Sequence, residues 1–286
     1  CLVPCASISI MSISIHEPRI TNHEARVLII AGSDSGGGAG IQADIKTVTC
    51  LGGYAATAIT ALTAQNTTGV YGIHDVPDAF IAQQIELVLS DIGADAIKTG
   101  MLHKASVIEA VANVIRHPSS AIPLILDPVM FAKGGHALLQ PQALDALKNQ
   151  LIPLAALVTP NIPEAEFLAD MKIANVADMK KAAERILALG CRAVLIKGGH
   201  LDSATIYDVL ASDSANELFE SPRINTKHTH GTGCTLASAI ATGLAQGLPL
   251  KEAVARAREY VRQAIVAAPG LGKGHGPLKH NFMIKH

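Results

Sequence analysis

Short apolar runs alternate with amphipathic segments along most of the chain. The apolar runs are typical of buried strands, and they lie at 27–31, 54–60, 95–98, 123–126, 156–158 and 193–196. The segments between them have helical periodicity, at 41–50, 79–89, 105–116, 143–149, 164–169 and 179–189. Two longer helices are predicted at 233–246 and 250–267. Two further strands, 206–210 and 217–219, flank a short polar segment and predict a hairpin at one edge of the sheet.

Strands without polar alternation, separated by helices, are typical of a parallel sheet that is covered on both faces. The pattern therefore predicts an α/β protein with a mostly parallel central sheet. No internal repeat, low-complexity linker or shift of composition divides residues 26–286, so we expect one domain there. Residues 1–25 lack this periodicity and are predicted to form an N-terminal tail.

The composition excludes several classes of partner. The 286 residues include 23 basic and 24 acidic side chains, so charge gives no reason to expect nucleic acid or an anionic membrane. Aromatic residues make up only 3%, which disfavours a base-stacking surface. No apolar run approaches the roughly 18 residues of a transmembrane helix. The five cysteines show no disulfide or metal-site spacing, which predicts a reducing compartment, the cytoplasm.

A glycine-rich segment, GSDSGGGAG at 32–40, directly follows the first predicted strand. Five glycines in nine residues favour a loop that lets a ligand approach the backbone. The chain contains no GxxxxGK[ST] phosphate loop, but 38–43 matches the loose GxGxxA pattern of a dinucleotide-binding turn. The acidic ribose ligand that should follow is missing, because no Asp or Glu lies between Leu51 and His74. An NAD-dependent oxidoreductase is therefore a distant alternative.

A second glycine-rich segment, HGTGC at 230–234, leads directly into a helix of small residues. The free N–H groups at such a helix start, together with the helix dipole, favour binding of an anion. The same field is expected to favour the thiolate of Cys234. An ordinary helix cap with a buried cysteine is the alternative interpretation.

Polar side chains stand at the ends of several other predicted strands. Asp127, Asn161, Glu164 and Lys197 occupy these positions in a chain with few charges. Their clustering predicts a polyanionic substrate and a Mg²⁺ ion bound by Asp127 and Glu164 through water. The amide of Gln65 offers both a donor and an acceptor, which suits a neutral heteroaromatic ring.

Eight sequence motifs occur in an order that resembles one enzyme family. They are AGSDSGGGAGIQADIKT, ITALTAQNTTGV, KTGML, LDPVM, TPNIPEAE, VLIKGGH, NTKHTHGTGCTLASA and GLGKGHGP. Together they resemble the hydroxymethylpyrimidine/phosphomethylpyrimidine kinases of thiamin biosynthesis, within the ribokinase-like superfamily. The resemblance implies a three-layer α/β/α sandwich, usually a homodimer, that transfers the γ-phosphoryl group of ATP twice. The acceptors would be 4-amino-5-hydroxymethyl-2-methylpyrimidine and then its monophosphate.

The resemblance also implies roles for individual residues, with ATP and Mg²⁺ as cosubstrate and metal and with a monovalent cation as a further possibility. Those expected to contact the pyrimidine are Asp44, Gln65, Gly32, Met101 and Val129. Those expected to serve Mg-ATP are Asn161, Glu164, Lys197 and Thr229. Those expected to stabilise the developing charge are Gly231, Thr232, Gly233 and Cys234, where Cys234 takes the place of the Asp base of related sugar kinases.

Two other functions stay open at this point. Pyridoxal kinase belongs to the same superfamily, and some of its members share the GTGC pattern. A non-catalytic ligand-binding regulator is the other alternative, and the presence of Lys197, Asn161, Glu164 and Cys234 argues against it.

Overall fold

The computed structural model describes residues 24–116, 122–131, 138–140, 142–212 and 215–284. The predicted tail lies almost entirely outside these residues. The described residues form ten strands: β1 Arg26–Ala31, β2 Tyr54–Ile59, β3 Ala61–Asn66, β4 Gly69–Asp75, β5 Ala96–Thr99, β6 Leu124–Leu126, β7 Leu157–Val158, β8 Ala193–Lys197, β9 Thr205–Ser212 and β10 Ala215–Pro222.

In the part of the chain that the structure describes, eight α-helices connect or follow the strands. They are α1 Gly40–Cys50, α2 Asp78–Asp91, α3 Ala105–Ile115, α4 Ala143–Ala146, α5 Ile162–Ala169, α6 Val176–Leu187, α7 Thr232–Ala245 and α8 Leu250–Val266. Helix α4 continues through a π-helical turn, Leu147–Leu151, and a 3₁₀ turn, Ile152–Leu154. None of the described helices combines the length and the apolar content that a membrane span requires.

Eight strands form the central sheet, in the order β10-β9-β8-β7-β6-β5-β1-β2. The six strands from β8 to β2 are parallel, whereas β9, next to one edge, pairs antiparallel with both β8 and β10. Both the mostly parallel sheet and the edge hairpin were predicted from the apolar pattern, and both are confirmed.

The helices cover the two faces of this sheet and build two separate cores. Alternate side chains of β1 show the division: Leu28 and Ile30 belong to the core under α2, α3 and α6, while Val27 and Ile29 belong to the core under α1, α7 and α8. Burying each such side chain contributes roughly 1.5–3 kcal/mol. The predicted α/β/α layering is confirmed.

One element is missing from the sequence prediction. Strands β3 and β4 form a separate antiparallel hairpin with a turn at Thr67 and Thr68. Gln65 therefore lies on this hairpin, next to a shift in its strand register. The hairpin exposes much of both strands, so its residues carry no continuous buried run.

Candidate functional site

A cavity of about 650 Å³ opens at the carboxyl ends of the parallel strands. From β1 the chain proceeds to β2 on one side of the sheet, and its later strands are added on the other side, beginning with β5. Such a reversal of strand order leaves a crevice between neighbouring loops, and ligands of open α/β sheets bind there. The cavity therefore lies where this architecture places a ligand.

Thirteen of the fourteen residues predicted for the site line this cavity. They are Gly32, Gln65, Met101, Asp127, Val129, Asn161, Glu164, Lys197, Thr229, Gly231, Thr232, Gly233 and Cys234. The structure brings them together from the ends of five strands, the β3–β4 hairpin and the start of α7. Val129 has a φ of 41°, a strained backbone conformation for a β-branched residue.

Asp44 is the exception, and its prediction as a pyrimidine ligand is wrong for this structure. Its side chain is 0% exposed and lies beneath the cavity. One carboxylate oxygen accepts a 2.8 Å hydrogen bond from Lys98 Nζ, and the other accepts a 2.7 Å bond from Ser238 Oγ. Lys98 is equally buried and does reach the cavity wall. Asp44 therefore holds Lys98 in place and is not available to a ligand.

The first glycine loop, 32–40, is organised by Asp34, a residue that the sequence analysis did not single out. Its carboxylate accepts hydrogen bonds from the backbone N–H groups of Gly36, Gly38 and Ala39, at 2.8 to 3.0 Å. Burial by itself would raise the pKa of Asp34, but its bonds to His230 and to these N–H groups outweigh it and lower the pKa. The loop thus uses its own N–H groups internally, which argues against the dinucleotide-binding alternative.

The second glycine loop, 230–234, has the opposite arrangement. Gly231 is the N-cap of α7 with a φ of 84°, and an added Cβ would overlap the Gly38 carbonyl oxygen. The first N–H groups of a helix have no acceptor within the helix, so those of Gly233 and Cys234 are available to an anion. The two glycine loops pack directly against each other, and the second presents the helix start to the cavity.

The environment of Cys234 differs from the sequence prediction. Burial raises its pKa to about 12, and the positive charge of Lys98 and a hydrogen bond from Gly40 offset only part of this effect. The expectation that the helix field favours a thiolate is therefore wrong for the ligand-free protein. Cys234 carries its proton at neutral pH.

Lys197 and Asp127 form an ion pair against the first turn of α7. Lys197 Nζ lies 2.9 Å from Asp127 Oδ1, and a Cβ at Gly233 would lie 3.2 Å from the same Nζ. Burial would lower the pKa of Lys197, but the charges of Asp127 and Glu164 outweigh it and raise the pKa. Lys197 therefore provides a permanent positive charge beside the anion-binding helix start.

Asn161 and Glu164 have a structural role that accounts for their spacing. Asn161 caps α5 by accepting a bond from the Glu164 N–H, and Glu164 accepts one from the Asn161 N–H. The other oxygen of Glu164 accepts a 3.2 Å bond from the Met130 N–H. This reciprocal pair is a capping box. Both residues reach the cavity, but both oxygens of Glu164 already have donors.

The donor set fits Mg²⁺ only in part. Among the described residues, no cluster of three or more His, Cys, Asp or Glu side chains is arranged to hold a metal. Asp127 Oδ2 accepts no hydrogen bond from the described residues, and it lies 3.5 Å from a Cβ placed on Gly233. Mg²⁺ commonly uses one or two carboxylates together with waters and substrate phosphates. Asp127 can supply such a carboxylate, and Glu164 could act only through water.

A second cavity, of about 860 Å³, lies beside the first between β9, β10 and α8. Its lining combines apolar side chains such as Leu236 and Ile265 with the guanidinium of Arg258, which is held by Asp208 at 2.7 Å. Three residues line both cavities: His200, Thr229 and Thr232. The two cavities therefore meet at the N-terminus of α7.

Asp34, Lys98 and His230 are the main site residues that the sequence analysis missed as ligand-facing groups. All three line the cavity. Lys98 ends the predicted strand 95–98, which was the signal used for Lys197 and could have identified it, and Asp34 comes three residues after β1. His230 contacts Asp34 across 196 positions of sequence, and no local pattern indicates that contact.

Comparison with known proteins shows the family to which the whole chain is similar. A family model described as phosphomethylpyrimidine kinase matches residues 34–279. The thiamine biosynthesis bifunctional protein ThiED of Geobacter sulfurreducens is 56% identical over 254 residues, which cover 89% of this chain and 52% of that protein. The hydroxymethylpyrimidine/phosphomethylpyrimidine kinase of Bacillus subtilis is 48% identical, covering 89% of this chain and 94% of the relative.

The fold is also similar to those of solved kinase structures. The ADP complex of Bacillus subtilis pyridoxal kinase superposes with a TM-score of 0.83 at 38% identity, covering 91% of this chain and 99% of that one. The family predicted from the motifs and the ribokinase-like fold are both confirmed. The chain belongs to the phosphomethylpyrimidine kinase family.

Proposed function

We propose that this chain transfers the γ-phosphoryl group of ATP first to the hydroxymethyl group of 4-amino-5-hydroxymethyl-2-methylpyrimidine and then to the resulting monophosphate. The observation that carries this proposal is the meeting of two cavities at the start of α7. The smaller cavity suits the aminopyrimidine, with Gln65 and Met101 in its wall. The larger cavity suits the nucleoside of ATP, and its phosphates would then extend past Thr229 towards Lys197.

Phosphoryl transfer depends mainly on positioning and on stabilising charge. The N–H groups of Gly233 and Cys234 and the ammonium of Lys197 would bind the oxygens of the transferred group. Mg²⁺, bound by Asp127 and substrate phosphates, would neutralise further phosphate charge. A monovalent cation is compatible with this scheme, and no described residue requires one.

The two acceptors make different demands on Cys234. A hydroxymethyl group must lose a proton during the first transfer, and we propose that the Cys234 thiolate accepts it. Because burial raises the pKa of Cys234 to about 12, the thiolate is scarce at neutral pH but strongly basic once formed. The monophosphate is already ionised near neutral pH, so the second transfer needs no base.

Pyridoxal phosphorylation is the second candidate function. It is supported by the ADP complex of Bacillus subtilis pyridoxal kinase, which superposes with a TM-score of 0.83. The relatives named hydroxymethylpyrimidine/phosphomethylpyrimidine kinase are more similar in sequence, which favours the pyrimidine. We further propose a homodimer, on the basis of the family resemblance.

Mass spectrometry of the products tests the proposal. Purified enzyme with Mg-ATP is incubated with the aminopyrimidine or with pyridoxal, and the Lys197→Met variant serves as the control for contaminating kinases. We expect the pyrimidine monophosphate to appear first and the diphosphate to follow. Absence of both products would contradict the proposal, and a higher kcat/KM for pyridoxal would reverse the order of the two candidates.

A further inference from the structure

His230 occupies a position between two polar side chains of the cavity wall. Its Nε2 atom lies 2.9 Å from Asp34 Oδ2 and 3.0 Å from Gln65 Nε2. An ionised carboxylate can only accept hydrogen bonds, so His230 Nε2 must carry a hydrogen and donate it to Asp34. Gln65 Nε2 can also only donate, so this placement sets two donors against each other. Exchanging the two ends of the amide removes the conflict, because it brings the acceptor Oε1 to His230 and turns Nε2 away.

The two partners of this arrangement are held firmly. Asp34 is only 2% exposed and is fixed by the N–H groups of the first glycine loop. The His230 ring packs against Gly38, where an added Cβ would lie 2.6 Å from its Cδ2 atom. The backbone N–H of His230 donates a 3.1 Å bond to the carbonyl of Gly276. The imidazole thus has little freedom to turn away from Gln65.

The backbone of Gln65 is fixed as well, although the residue lies on the β3–β4 hairpin. Its N–H donates to Ser35 Oγ at 2.8 Å, and its carbonyl accepts from the same hydroxyl at 2.7 Å. With the backbone held and the amide next to His230, the remaining question is which end of the amide, Oε1 or Nε2, faces the imidazole. A side-chain amide has nearly the same shape in its two orientations, so hydrogen bonding alone selects between them.

We propose that His230 is a positioning residue for substrate specificity: it orients the Gln65 amide so that the NH₂ group faces the cavity and donates to a ring nitrogen of the substrate. This inference rests on the function proposed above. The site would then select heteroaromatic rings that present an unprotonated nitrogen at this point. A ring with C–H there would leave the Gln65 donor without an acceptor in the complex, which costs affinity.

A comparison of substrate analogues tests this inference. The probes are the aminopyrimidine and two pyridine analogues, in each of which one ring nitrogen is replaced by C–H. For the wild-type enzyme we expect one of the two analogues to lose about 10- to 100-fold in kcat/KM, mainly through KM. In His230→Phe the Gln65 amide can rotate, so we expect this discrimination to fall below about 3-fold. His74→Phe, on an exposed part of the hairpin, is the matched control and should keep it.

A second variant separates positioning from a general structural effect. Gln65→Met removes the amide from a partly exposed position and should abolish the discrimination without unfolding the protein. If His230 acts through Gln65, adding His230→Phe to Gln65→Met should leave the ratio between the substrates unchanged.

Any one of three results would overturn the inference while leaving the proposed function intact. The first is that His230→Phe lowers turnover of all three substrates by the same factor. The second is that His230→Phe shifts the ratio even in the Gln65→Met background. The third is that the wild-type enzyme accepts both analogues as well as the aminopyrimidine. A wild-type enzyme that leaves the aminopyrimidine itself unphosphorylated would overturn the proposed function, and the inference with it. That outcome is distinguished because turnover of the parent substrate is measured first.

Discussion

The two glycine-rich loops of the site look alike in sequence and differ in what their N–H groups bind. In the first glycine loop, the carboxylate of Asp34 accepts three backbone N–H groups. In the second, the N–H groups of Gly233 and Cys234 begin a 14-residue helix and face the cavity. The first loop therefore binds its own N–H groups through Asp34 and forms part of the cavity wall, while the second can bind an external anion.

This difference shows that glycine content by itself does not identify an anion site. Both loops need glycine because they approach each other closely: Gly231 packs on the carbonyl of Gly38. What separates them is the presence of an internal carboxylate in one and of a helix start in the other. We expect changes in the first loop to act mainly on stability and changes in the second mainly on catalysis.

The largest effect is expected from Gly231→Ala. Its φ of 84° is unfavourable for alanine, and the new Cβ would overlap the Gly38 carbonyl. Separating the loops should displace the helix start. Because a displacement of about 1 Å in an active site can cost about 100-fold in rate, we expect kcat to fall by at least about 100-fold. Steady-state kinetics with the aminopyrimidine and Mg-ATP would measure it.

Gly247→Ala is a matched control at the other end of α7. Gly247 has a φ of 82°, but no atom lies within 4 Å of an added Cβ. The left-handed backbone should cost this variant roughly 1–2 kcal/mol of stability, with little change in kcat. Equal losses of kcat in the two variants would mean that loop contact is not what matters.

Cys234→Ala should separate the two transfers. If Cys234 is the base for the hydroxyl acceptor only, the first transfer should slow by about 100-fold or more and the second far less. Because burial raises the pKa of Cys234 to about 12, the first transfer should also accelerate roughly tenfold per pH unit between pH 7 and 9 in the wild type.

Single-turnover assays on each acceptor would measure these rates, with the half-buried Cys50→Ala as the control. In Cys234→Ala the pH dependence of the first transfer should disappear. Equal slowing of both transfers would indicate that Cys234 acts through the shape of the loop.

Asp34→Asn should test the first loop. The amide keeps the shape of the side chain but removes charge-assisted bonds from His230 and three N–H groups, so we expect a loss of about 2–4 kcal/mol in the free energy of unfolding. Urea unfolding would measure it, with the exposed Asp91→Asn as the control. A loss below 0.5 kcal/mol would contradict the role given to Asp34.

The smallest expected effect is the pH dependence of the difference in unfolding free energy between the wild type and Asp34→Asn. The folded protein lowers the pKa of Asp34, so its contribution to stability is present above the unfolded pKa, about 3.9, and is lost as the pH falls through the folded value. The gap between wild type and Asp34→Asn should therefore be constant from pH 5 to 7 and shrink below pH 4. A gap that widens on acidification would show the opposite shift.

The sequence predicted the fold well because buried parallel strands are visible as apolar runs. It missed the β3–β4 hairpin, whose strands have no continuously buried face; the turn residues Asn66 to Gly69 were the available signal. In the site, strand-end positions identified Asp127 and Lys197 correctly as cavity residues. Asp44 was misplaced because its partners Lys98 and Ser238 lie 54 and 194 positions away, and such contacts leave no local pattern.

The most direct test of the contrast between the loops is a crystal structure with ADP, Mg²⁺, aluminium fluoride and the aminopyrimidine. We expect the fluoride ligands to lie within about 3.2 Å of the backbone nitrogens of Gly233 and Cys234. We also expect the N–H groups of Gly36 and Gly38 still to donate to Asp34. A phosphoryl mimic bound to the N–H groups of the first glycine loop, with Asp34 displaced, would show that the second loop is not the anion site.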